Sequence, residues 1–125
     1  FVRDEVPAFP ICTMLALLRT FLSDDAVLPP ARVRERSEES VLIDVRTPAE
    51  YVFGHLDGAI NADVRARDFD AFVASLDKSK PYFLYCSSGR RSRHALKRMQ
   101  RRGFSRVHNA GSLGDLAVAG LPLAL

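Results

Sequence analysis

Cysteine is scarce in these 125 residues, with Cys12 and Cys86 alone, and tryptophan is absent. Two distant cysteines exclude a disulfide framework, and neither stands in a Cys-x-x-Cys pair of zinc or dithiol spacing. Histidine is nearly as rare: His55, His94 and His108 are isolated from one another, so the sequence predicts no metal and no cofactor. Internal repeats and low-complexity tracts are missing, which argues against a solenoid or a disordered chain. No apolar run is long enough for a membrane span. The segment Ile11 to Leu22 is far too short, is interrupted by Arg19 and follows Asp4 and Glu5. It is also a poor secretory leader, although Leu28-Pro-Pro-Ala31 offers a degenerate cleavage neighbourhood. The sequence opens on Phe1 rather than Met, as a fragment or a processed product would, so the compartment stays open between cytoplasmic and periplasmic or exported. The oligomeric state is equally open.

What is present is an apolar-rich chain of mixed charge with a net charge of +3. That balance favours anionic partners in a general way and falls short of a nucleic-acid binder. Its length accommodates one core of ordinary size. We read residues 1–40 as an N-terminal helix and connector, and residues 41–125 as the domain proper. In the first part Ile11, Met14, Leu15, Leu18 and Leu22 recur at helical spacing behind Pro10, while residues 26–40 are rich in Pro, Arg and Glu without periodicity. Cys12 belongs to the apolar helix and reads as a packing residue rather than a resolving thiol.

In the domain proper, Val41-Leu-Ile-Asp-Val45 has the composition of a buried parallel strand. Thr47-Pro48-Ala-Glu50 follows with the form of a helix start: Thr as N-cap, Pro at the first position, Glu at the third. That helix is expected to end near Gly54. Ala59-Ile60-Asn61 reads as a brief strand, and Phe69, Phe72, Val73 and Leu76 as the apolar face of a helix reaching the Lys-Ser-Lys-Pro81 break. Pro81 to Cys86 is a third strand. Ala95, Leu96 and Met99 line a following helix that Gly103 closes, with Phe104 behind it, and Arg106 to Asn109 forms a last strand. Strands alternating with helices predict an α/β fold: a largely parallel sheet of four or five strands with helices on both faces.

Ligands of such sheets bind at the carboxyl ends of the strands, where both Asp44-Val-Arg46 and Cys86 fall. A cysteine followed by a short Gly-bearing loop and a helix has a physical use, because successive peptide N–H groups can curl around its sulfur and favour negative charge. An ordinary thiol with pKa near 8.5 is only about 3% ionised at neutral pH, and each tenfold gain in thiolate takes about 1.4 kcal/mol of anion stabilisation. Helix-end amides and the cations Arg90 and Arg91 are of the right size to supply it. Asp44 is costly to bury without partners, which points to a hydrogen-bonded role, with Arg46 its natural partner.

Together, Leu42-Ile-Asp-Val-Arg46, Glu50-Tyr51, Gly54-His-Leu-Asp-Gly-Ala-Ile-Asn61, Cys86-Ser-Ser-Gly-Arg-Arg91 and Asn109-Ala-Gly111 resemble the rhodanese family in order and spacing over residues 41 to 123. The chain is most similar to its compact single-domain members of the phage-shock type. That resemblance implies a rhodanese-like three-layer fold and a thiosulfate-type sulfurtransferase in which Cys86 is the nucleophile and carries a persulfide. It implies that the N–H groups from Ser87, Ser88, Gly89, Arg90, Arg91 and Ser92 hold the terminal sulfur, and that Arg90 and Arg91 attract a small anionic donor. It implies support from Asp44 and Arg46 beneath the loop and from Glu50, which orients a loop arginine. The acceptor would be cyanide or a thiol, either a small molecule or a thioredoxin-like protein. Related phosphatases have a loop one residue longer, with arginine six positions after cysteine, where this chain has Ser92; Arg91 stands at five. Two departures stand out: Gly111-Ser112 and Leu116 replace the usual Gly-Gly and later Trp.

Blander readings stand beside these. His55 reads as a structural residue of the turn before Ala59. The basic run from Arg90 to Arg102 lacks interleaved aromatics and reads as a solvated helix face rather than a nucleic-acid surface. Two other functions share the cysteine: a redox-sensing or binding module that does not turn over, and arsenate reductase or phosphatase chemistry.

Overall fold

A computed structural model describes residues 26–125; the expected helix over 11–22 and Cys12 lie outside the described residues. The elements run α1 (Pro30–Arg34), β1 (Val41–Asp44), α2 (Pro48–Phe53), β2 (His55–Leu56), β3 (Ile60–Asn61), α3 (Phe69–Ala74), β4 (Tyr82–Cys86), α4 (Arg90–Arg101), β5 (Val107–Ser112), α5 (Leu113–Val118) and β6 (Leu123–Ala124). Four strands form one parallel sheet in the order β3-β1-β4-β5, and β2 pairs antiparallel with β6 in a separate two-stranded ribbon.

Alternation along the strands splits the interior into two cores. Ile43, Tyr82, Leu84 and Cys86 point to the face covered by α3 and α4, where they meet Phe69, Val73, Ala95, Leu96 and Met99. Leu42, Phe83 and Tyr85 point the other way, against Val33 of α1, Leu116 of α5, Leu56 and Leu121. Every residue of β4 is buried, as a central parallel strand requires. Each fully buried large apolar side chain contributes about 1.5–3 kcal/mol, so both layers of helix are held chiefly by this packing.

The α/β class and the parallel sheet of four strands are as expected. Local sequence signals also hold at two helix ends. Thr47 Oγ1 accepts from Glu50 N at 3.2 Å while Glu50 Oε1 accepts from Thr47 N at 3.0 Å, a reciprocal cap at the start of α2. At the end of α4, Gly103 N donates to the Gln100 carbonyl and Phe104 N to that of Met99, at 3.0 and 3.2 Å.

Four local expectations are corrected. Residues 26–40, read as an aperiodic connector, contain α1, whose Val33 is wholly buried, and Val27 bridges to Asn109 at the outer edge of β5. One buried side chain in a five-residue helix leaves no periodicity to read. The helix over 69–76 stops at Ala74, where Ser75 caps it and its Oγ donates to the Phe72 carbonyl. The last strand runs on to Ser112 through a bulge. The β2–β6 ribbon and α5 were not anticipated, since two-residue strands paired across the chain carry no local signal.

Candidate active site

In this strand order β1 and β4 are neighbours, and the chain departs from β1 in opposite directions, to β3 on one side and to β4 and β5 on the other. The carboxyl ends of β1 and β4 therefore meet at the crevice where such sheets bind ligands. Cys86 closes β4, and the loop Ser87–Gly89 leads directly into α4.

The loop closes around the sulfur. Gly89 N donates to Cys86 Sγ at 2.9 Å and Ser92 N at 3.4 Å, and Ser92 Oγ lies 3.6 Å from Sγ. Gly89 makes this turn possible: its φ of 90° is a left-handed conformation that side chains disfavour. Burial pushes the Cys86 thiol up, yet hydrogen bonding from Ser92, Ser88 and Gly89 together outweighs burial and leaves it below the ordinary thiol value. The positive end of α4, a helix of 12 residues, acts in the same direction.

Glu50 of α2 anchors the exposed rim of the loop. Its carboxylate takes a two-pronged bond from Arg91, Nη1 to Oε1 at 2.7 Å and Nη2 to Oε2 at 3.0 Å, and a third from Ser87 Oγ at 3.1 Å. Arg91 is the largest of the influences that hold the Glu50 carboxyl far below the usual carboxylate range. The expectation that Glu50 meets a loop arginine thus corresponds to a contact with Arg91. Arg90 instead lies exposed, where with Ser88, Gly89 and Arg93 it lines one side of a cleft of about 650 Å³ that Val27 and Asn109 line on the other. Ser87 and Ser88 are exposed as well.

Asp44 and Arg46 form a separate buried unit. Arg46 Nη2 donates to Asp44 Oδ2 at 2.7 Å and to the Gly54 carbonyl at 2.6 Å, and Nε reaches both carboxylate oxygens at 3.0 Å. Asn61 Nδ2 bonds the carbonyls of Asp44 and Arg46 at 3.1 and 2.9 Å. The pair thus ties the end of β1 to the turn after α2. It bonds the carbonyl of Gly54 in that turn and the Asn61 amide of β3, and the Arg46 guanidinium lies over the Tyr85 ring of β4 at 5.9 Å. Tyr85, behind it, accepts from Leu56 N at 2.9 Å, and burial raises its hydroxyl well above the usual range. His55 stacks on Tyr51 with ring centroids 3.6 Å apart and shares its Nδ1 with the Tyr51 carbonyl, a turn contact of the kind expected for it.

One site residue was given no role in the sequence reading. Asn109, buried within β5, contacts the loop through both ends of its amide. Its sequence signal was its place in the Asn109-Ala-Gly111 fragment, and buried there its amide must find partners.

A family model for the rhodanese-like domain matches residues 29–112. The chain is similar to thiosulfate sulfurtransferase PspE of Escherichia coli, with 37% identity over 76 residues that span 61% of this chain and 73% of that protein. It is similar as well to the thiosulfate:glutathione sulfurtransferase of Saccharomyces cerevisiae, 33% identical over 88 residues covering 60% of this chain and 63% of that one. A rhodanese-related protein of Thermoplasma volcanium superposes with a TM-score of 0.70 over 79% of this chain and 97% of its own, and at 24% identity that likeness speaks for the fold alone.

Proposed function

The chain belongs to the rhodanese-like domain family, and on that premise we propose that it is a sulfurtransferase carrying sulfane sulfur as a persulfide on Cys86. The observation that carries this reading is the convergence of Gly89 N and Ser92 N on Cys86 Sγ, at 2.9 and 3.4 Å. These donors favour the thiolate, which is the attacking species, and need no separate general base.

The donor is thiosulfate or a similar small sulfane-sulfur anion. The Cys86 thiolate attacks its outer sulfur; a new S–S bond forms to Cys86, the old one to the sulfite group breaks, and sulfite leaves with the electron pair. The acceptor, cyanide or a thiolate of a small molecule or protein, then attacks the terminal sulfur, and Cys86 departs as thiolate. Peptide N–H groups from Ser87 to Ser92 hold the terminal sulfur through both steps. Exposed Arg90 and Glu50-bound Arg91 draw the dianion to the loop. Asp44 and Arg46 support the turn beneath the site. Arginine five positions after the cysteine keeps the loop short, which suits sulfur and crowds a phosphoryl group.

Incubation with thiosulfate is expected to add one sulfur atom to Cys86 by mass spectrometry, with release of one sulfite. Thiocyanate production from thiosulfate and cyanide is expected to fall to background in Cys86→Ser. Equal rates in the two proteins would overturn the reading, and oxidation of Cys86 by peroxide with no sulfur taken up from thiosulfate would assign it to redox sensing instead.

A further inference from the structure

We infer that Asn109 is a positioning residue that clamps the chain after Cys86 at two points, Gly89 and Ser92, a role that deepens the sulfurtransferase reading and rests on it. Its amide orientation is set by backbone. Gly111 N donates at 3.0 Å and so requires the oxygen, while the Gly89 carbonyl accepts at 3.2 Å and so requires the nitrogen. With the oxygen thus assigned, Ser92 Oγ donates to Asn109 Oδ1 at 2.7 Å. One side chain therefore grips Gly89 and Ser92, two of the residues whose amides reach the sulfur.

The fold explains why this residue can do so. Asn109 shares its face of β5 with Val107, which packs in the core under α4. Register shifts from Leu84 opposite Asn109 to Tyr85 opposite Gly111, so Ala110 is an extra residue in β5. At this bulge the Gly111 N–H turns to the Asn109 side chain, and the amide is pinned beneath the loop. Asn109 is 1% exposed and Ser92 is fully buried, so water does not compete for these bonds. With its one hydroxyl proton given to Asn109, Ser92 donates to the sulfur through its backbone N–H, so the clamp acts on the thiolate by fixing the amides of Gly89 and Ser92.

The test is the pH dependence of Cys86 alkylation by iodoacetamide, measured without any sulfur donor on the intact chain and on Asn109→Ala. The variant is expected to raise the midpoint by about half a pH unit or more, a roughly threefold loss of thiolate below it. A midpoint unchanged in folded Asn109→Ala would overturn the clamp. Should Asn109→Ala not fold, Asn109→Leu keeps the volume and removes both contacts without adding charge. A raised midpoint there supports the clamp, and an unchanged one refutes it. Failure of the sulfurtransferase reading looks different: wild-type protein would titrate low yet take up no sulfur from thiosulfate.

Discussion

Cys86 is buried in a way that would ordinarily keep a thiol neutral, and hydrogen bonds from Ser92, Ser88 and Gly89 reverse the outcome. The sign has a consequence for stability. A thiol held low in the native state gives up its proton before the unfolded chain does, so the unfolded state binds more protons between the two values. Native stability then rises with pH across that interval, is fully present above the ordinary thiol value, and is lost as pH falls through the lowered one. Urea titrations of wild type and Cys86→Ala between about pH 6 and about pH 9 are expected to diverge in favour of wild type as pH rises. A constant difference would contradict the stabilised thiolate. Asp44 presents the other residue-scale case. Its side chain is fully buried against Arg46, and removing one partner strands a charge. Asp44→Ala is expected to cost about 3–5 kcal/mol in urea denaturation, far more than an exposed ion pair would.

Among the elements, β5 joins the loop to the edge of the domain. Val27 bridges to Asn109, and Leu28 N donates to the Asn109 carbonyl at 2.9 Å, so the segment before α1 lies directly over the bulge. Gly111 sits in that crowding with φ at 91°, and a Cβ there would stand 2.7 Å from Val27 Cγ1. Gly111→Ala is expected to destabilise by about 1–3 kcal/mol, from strain and overlap together. Adding Val27→Ala relieves the overlap but not the backbone strain, so thermal denaturation of the double variant is expected to recover part of the loss. Full recovery would mean that the left-handed backbone carries no cost here. The short element α1 shows the same dependence on neighbours, for its place is set by Val33 in the core with Leu116 and Leu121 rather than by helical propensity over five residues.

At the scale of the whole molecule, the sulfurtransferase proposed above would meet a dianionic donor with a positive field. Net charge is +3, exposed Arg90 lines the cleft beside the loop, and α4 carries its basic residues outward. Raising ionic strength shortens the screening length from about 30 Å at 0.01 M to about 8 Å at 0.15 M. With thiosulfate, kcat/KM is expected to fall several-fold across that range while kcat holds, because screening weakens capture and not the later transfer. A flat profile would remove long-range attraction from the mechanism. Among the described residues no helix is long and apolar enough to cross a membrane.

Much of this was legible in one dimension. Strand composition around Ile43 and Leu84, the Thr47–Glu50 cap and the Cys86–Arg91 loop are local patterns, set by side-chain volume, alternation and turn chemistry within a few residues of one another. By itself the sequence therefore determined the class of fold, the cysteine and the loop that follows it. Only the tertiary structure decided that Arg91 rather than Arg90 meets Glu50, that Asp44 and Arg46 serve the turn at Gly54, and that Asn109 lies under the loop. Those partners stand 41, 8 and 20 positions apart, and the last depends on a single extra residue in β5. Hydrogen bonds are short and directional, so a contact across such separations exists only once packing of the sheet has brought its two ends within about 3 Å.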